Sequence, residues 1–160
     1  MKRGLSIWKR AVTVFTLLSF PFFLTLWPVS QASATINYGE EAAAMAEILI
    51  GSPYKYGGIS PEGFDASGFT QYVYKEAATN MNIPRTSVAQ YKIGKAVKQT
   101  DLQFGDLVFY ATGAKGKVSF VAVYNGNGTL IGATSKGVKK IKMSDKYWKD
   151  RYIGAKRIIK

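Results

Sequence analysis

The sequence predicts an α+β domain in which an antiparallel sheet of about five strands packs against N-terminal helices. Three observations carry that prediction. Helical periodicity is confined to the first half, as in 41–49 and 69–77. Short β-branched and aromatic runs fill the second half, and the stretch Tyr124-Asn-Gly-Asn-Gly128 between two of them is a strong hairpin turn. Helices followed by hairpin-linked strands is the layered α+β arrangement.

Taken in order, the chain of 160 residues opens on a basic start, MKRGLSIWKR, an apolar run and Ala32-Ser33-Ala34. This order of segments predicts a secretory signal over 1–34 with cleavage after Ala34, and a single domain over 35–160. An uncleaved anchor is the competing reading, because the run approaches the length that spans a bilayer; a membrane is a partner only in that case. The first helix is expected where Asn37 and Glu40 resemble a capping box, with Ala42, Met45, Ala46 and Leu49 at helical spacing before Gly51. A Gly/Pro/Tyr loop follows. Asp65 then caps a second helix running to about Ala78, with Phe69, Tyr72, Val73 and Ala77 as its buried stripe. The segment 82–95 reads as a loop with one short helical turn. Strands are expected over 105–112, 118–124, 129–134, 138–143 and 152–159. Within 118–124, period-2 alternation puts Val118, Phe120, Ala122 and Tyr124 on one face and Ser119, Val121 and Val123 on the other.

Composition excludes several chemistries. The chain contains neither Cys nor His. A disulfide is impossible, transition-metal sites lack their usual ligands, and Ser-His-Asp or Cys-His catalysis cannot be assembled from this chain. No cofactor and no metal are expected. Charge is uneven: residues 35–114 carry a net −2, and residues 115–160 a net +10. A basic half attracts polyanions, and for an exported protein a wall polymer such as teichoic acid is a better candidate than nucleic acid. Lys136, Lys139, Lys140 and Lys142 form its densest part. On a strand Lys140 and Lys142 share one face and Lys139 takes the other.

The segments PYKYGGISPEGFDASGFTQYVYKEA, IPRTSVAQ, LQFGDLVFY, VSFVAVYNGNGTLIGATSKGV and YWKDRYIGAKRII together resemble the NlpC/P60 family. The resemblance implies a papain-like fold and cysteine peptidases of bacterial wall stem peptides. It puts the family's nucleophile position at Ala66, its general-base position at Phe120 and its third polar position at Gly132. None of those side chains can attack a carbonyl or carry a proton at neutral pH. The expectation is therefore a protein that is not an enzyme, secreted or wall-associated. It would bind peptidoglycan stem peptide or anionic wall polymer, or regulate an active wall hydrolase. A hydrolase with non-standard residues, such as Ser67, and an interaction module with a filled groove are the alternatives. Tyr54, Asp65, Ser67, Arg85, Thr86 and Ser87 match groove positions and are the candidate ligand contacts. An Arg beside hydroxyls suits a carboxylate. Asp106, after Gly105, is expected to hold the start of a strand through backbone bonds.

Overall fold

The computed structural model describes residues 37–77 and 80–159, so the predicted signal segment lies outside the described residues. Helix α1 (Tyr38–Ile48) starts where Asn37 Oδ1 accepts the Gly39 and Glu40 amides, while Asn37 Nδ2 donates to the Glu40 carboxylate. A two-stranded hairpin, β1 (Ile59–Ser60) and β2 (Gly63–Phe64), leads into α2 (Ala66–Glu76). Then come α3 (Ser87–Gln90), β3 (Lys95–Val97), β4 (Leu107–Tyr110), β5 (Phe120–Tyr124), β6 (Thr129–Thr134), β7 (Gly137–Lys142), α4 (Lys146–Lys149) and β8 (Tyr152–Arg157).

Among the described residues the main sheet has six strands in the order β3-β8-β4-β5-β6-β7, paired antiparallel throughout. It exceeds the expected five by β3, a three-residue edge strand whose Lys-Ala-Val sequence carries no apolar alternation. Pairing with Ala155–Arg157 of β8 holds it in place. Helix α2 is shorter than expected because Ala77 leaves the helical region with ψ 161°. Its buried face also includes Tyr74, with Tyr72 only half-buried against the edge of Phe64.

The centre of the sheet is buried on both faces, which is why β4 and β5 read as nearly continuous apolar runs. Phe69, Val73 and Tyr74 of α2 pack with Ala42 and Ala46 of α1 onto Phe109, Val121, Val123 and Ile131. The other face gathers Val108, Tyr110, Phe120, Ala122, Leu130 and Ile141, with Trp148 and Tyr152 against them. The expected alternation is thus realised in β5 from Phe120 to Tyr124, whereas Val118, ahead of the strand and so free of its pleat, packs on the opposite cluster with Val121 and Val123. Ala66, the first residue of α2, touches both clusters and sits at the seam between them.

At the end of the sheet where β4 begins, the Asp106 carboxylate is buried. It accepts the Gln103 amide at 2.8 Å and both Nε and Nη2 of Arg157 at 2.8 Å. Asp106 therefore fixes the strand start through a backbone bond, as expected. It also ties β4 to the end of β8 through an arginine that local sequence does not point to.

Candidate functional site

A groove of about 1080 Å³ opens beside Ala66. The start of α2 forms one wall. Asp65 caps the helix, its Oδ1 accepting the Gly68 amide at 2.7 Å. Gly68 is required here because a Cβ would stand 2.0 Å from the Gly58 carbonyl oxygen. That approach presses the first turn of α2 onto the loop before it, and Asp65 Oδ2 accepts the Gly57 amide from the same loop.

Arg85 closes this wall. Its Nη1 and Nη2 donate to Asp65 Oδ1 and Oδ2 at 3.0 and 2.6 Å, and Nη1 also donates to Ser67 Oγ at 3.1 Å. Such a fork-to-fork pair is strong and directional. Burial alone would push the Asp65 carboxyl up. The Arg85 hydrogen bonds and charge, with the Gly68 and Gly57 amides, outweigh it and hold Asp65 below the usual carboxylate value. Hydrogen bonding to Asp65 likewise raises Arg85. Behind the pair, Gln90 is fully buried, accepting from Thr70 Oγ1 and donating to the Ser67 and Pro84 carbonyls. Thr86 caps α3 through the Ala89 amide.

Aromatic rings and the β6–β7 hairpin form the opposite wall. Phe120 is 6% exposed and lies 4.9 Å, centroid to centroid, from Trp148. Tyr110 lies beneath both rings, its hydroxyl buried without a hydrogen-bond partner among the described residues and its pKa pushed up, first by that burial. The phenyl ring of Phe120 is accommodated because position 132 is glycine. A Cβ on Gly132 would stand 3.0 Å from Phe120 Cζ and 2.9 Å from Ala122 Cβ. Phe120 therefore lines the groove without sealing it.

The structure brings all six predicted groove residues, Tyr54, Asp65, Ser67, Arg85, Thr86 and Ser87, to this one cleft. Of the three positions that the resemblance assigns to catalysis, Ala66 and Phe120 line it, while Gly132 lies under the phenyl ring. The four predicted lysines are divided. Lys136 and Lys139 line the groove; Lys140 instead pairs with Glu47 of α1. Sequence reasoning missed Tyr56, Thr112, Ser119, Tyr147 and Trp148 as lining residues. The aromatic pair in the polar segment DKYWKDRY was a visible signal for the last two. Arg151 holds Tyr147 in place, donating to its carbonyl at 3.0 Å and stacking 4.0 Å over its ring.

A family model described as "NlpC/P60 family" matches residues 51–157. The Gamma-DL-glutamyl hydrolase of Bacillus subtilis (strain 168) is 39% identical over 160 residues, covering 96% of this chain and 38% of that protein. Murein DD-endopeptidase MepH of Escherichia coli (strain K12) is 39% identical over 115 residues, covering 69% of this chain and 42% of that protein. The chain thus spans about two fifths of the length of these relatives. An NlpC/P60 family protein from Bacillus cereus has the same fold, with a TM-score of 0.70 at 35% identity over 76% of this chain and 40% of that one. These names overturn the expectation that the chain is not an enzyme, because relatives this similar are called hydrolase and endopeptidase. The physical reason is plain. The residues at 66, 120 and 132 speak only to a thiol-imidazole mechanism, and the absence of those groups does not exclude hydrolysis as such.

Proposed function

The chain belongs to the NlpC/P60 family, and from that premise we propose that it acts at the bacterial cell wall, with the groove beside Ala66 taking peptidoglycan stem peptide. The observation that carries this reading is the open cleft itself, floored by Ala66 and Phe120 and bordered by the Asp65–Arg85–Ser67 cluster. It offers hydroxyls, a guanidinium edge and aromatic faces to a bound peptide. Work at the wall requires export, which the segment 1–34 is expected to direct.

The test is sedimentation of the purified protein with peptidoglycan sacculi, followed by binding of a soluble stem peptide. Retention on sacculi that Arg85→Ala and Trp148→Ala weaken supports the groove. Retention that neither substitution changes moves the wall contact elsewhere.

The relatives' names favour a second reading, in which the bound peptide is hydrolysed. Without Cys or His, such a reaction draws on the groove's own hydroxyl, carboxylate and guanidinium groups. Ser67 is the hydroxyl to examine, since its Oγ accepts from Arg85 and donates to Asp65 Oδ1 at 3.3 Å. Mass spectrometry of digested sacculi decides it: stem-peptide fragments that disappear with Ser67→Ala assign hydrolysis to this cleft.

A further inference from the structure

We infer that Lys136 and Lys139 select an acidic ligand, so that the groove prefers a peptide bearing free carboxylates over its amide counterpart. The inference rests on the groove being the peptide site and names which peptides it takes.

Among the described residues four charged side chains line the groove: Asp65, Arg85, Lys136 and Lys139. Asp65 and Arg85 neutralise each other through the bidentate pair. Among the described residues no carboxylate pairs with Lys136 or Lys139, so the lining keeps two unmatched positive charges. Glu47, the acidic side chain that pairs on β7, is taken by Lys140.

Register sets the direction of Lys139. Gly132 of β6 is its cross-strand partner in β7. Residues directly opposite on adjacent strands project to the same face. The Cβ direction at Gly132 runs into the phenyl ring of Phe120, so Lys139 rises from the sheet on the Phe120 side. Lys140, one residue on, takes the other face and reaches α1. Lys136 sits in the β6–β7 turn. There its amide donates to Thr134 Oγ1 at 3.2 Å, and that hydroxyl donates to the Gly137 carbonyl at 3.1 Å. Both ammonium groups thus stand on fixed backbone across the cleft from the neutralised Asp65–Arg85 wall. The basic surface read from the sequence is therefore two surfaces, and one of them belongs to the groove. Unmatched cations beside a low-dielectric aromatic wall attract carboxylates more strongly than they would in open water.

The experiment measures binding of the full chain to a synthetic γ-glutamyl stem peptide with free carboxylates and to the same peptide with those carboxylates amidated. The free acid is expected to bind at least about 5-fold tighter at low salt, the ratio shrinking as salt rises. Lys136→Gln and Lys139→Gln should each reduce acid binding about 2- to 5-fold and leave amide binding unchanged. Lys95→Gln, on the opposite edge strand, should change neither. Equal binding of acid and amide overturns the inference while leaving the groove as a peptide site. Failure of both peptides to bind removes the groove reading and this inference with it. Tighter binding of poly(glycerol phosphate), lost in the two groove-lysine variants, would assign these lysines to a phosphate polymer and overturn the preference for an acidic peptide.

Discussion

The molecule uses a bidentate Asp–Arg pair twice, at the far end where β4 begins and at the groove end where α2 begins, and the two differ in burial. Asp106 has a side chain 1% exposed and accepts a backbone amide as well as Arg157. Asp65 has a side chain 17% exposed, and its partner Arg85 is 37% exposed at the groove. At the far end the pair is the fastening. At the groove end the close fit belongs to the aromatic wall, and the pair remains within reach of a ligand. A pair's stabilising role follows from what removal would leave stranded, not from the number of its hydrogen bonds.

The largest effect is expected at the buried pair. Asp106→Ala leaves the Gln103 amide without its acceptor and Arg157 holding only the Asp101 carbonyl, and should cost about 3 kcal/mol. Urea unfolding followed by far-UV circular dichroism measures it. A loss no greater than that of Asp65→Ala would break the comparison.

Next comes the packing of the groove wall. Gly132→Ala pushes a methyl onto Phe120 and Ala122, and overpacking of this kind costs about 1–3 kcal/mol. Combining it with Phe120→Ala should recover part of the loss, because one of the two contacts is then gone. A double-mutant cycle gives the coupling, which is zero if the ring does not depend on glycine at 132.

The exposed pair should show its contribution through pH. The folded-state carboxyl of Asp65 is held below its ordinary value. Its ionised form therefore contributes stability above the unfolded value, about 3.9, and that contribution is lost as pH falls through the lower folded-state value. Asn at 65 still accepts the Gly68 amide, so Asp65→Asn isolates the charge. The variant should be less stable than wild type by about 1 kcal/mol or less at pH 7, since solvent screens the pair. The difference should vanish in strong acid. A gap that persists there would mean that shape, not charge, holds Arg85.

Much of this contrast was legible locally. Asp65 as a cap, the alternation of β5 and the 124–128 turn depend on neighbours in sequence, and side-chain periodicity or cap chemistry reports them directly. The Asp65–Arg85 and Asp106–Arg157 pairs join residues 20 and 51 apart, and their geometry depends on loop conformation and on the β4–β8 pairing. Strand β3 has no pattern of its own because pairing with β8, not burial, makes it a strand. The groove's far wall was partly hidden because Tyr147 and Trp148 arrive from α4, remote in sequence from α2. Position 132 looked merely empty. Its significance is steric and appears only when the Phe120 ring lies over it. The reading of activity failed for a related reason: three residue identities test one mechanism, whereas the family relationship concerns the whole fold.

The smallest effect extends the burial series to its exposed limit. Lys140 and Glu47 are about half exposed, and the Lys140 hydrogen bond and charge lower the Glu47 carboxyl. The pair has ideal opposite charges and joins β7 to α1, so counting contacts would rank it beside the other two. Water solvates both groups once the contact is broken, which leaves nothing stranded. Lys140→Ala should accordingly leave the unfolding midpoint within experimental scatter at physiological salt. A loss approaching that of Asp106→Ala would show that the Lys140–Glu47 link clamps the edge strand to the helix, and that burial is not what separates these pairs.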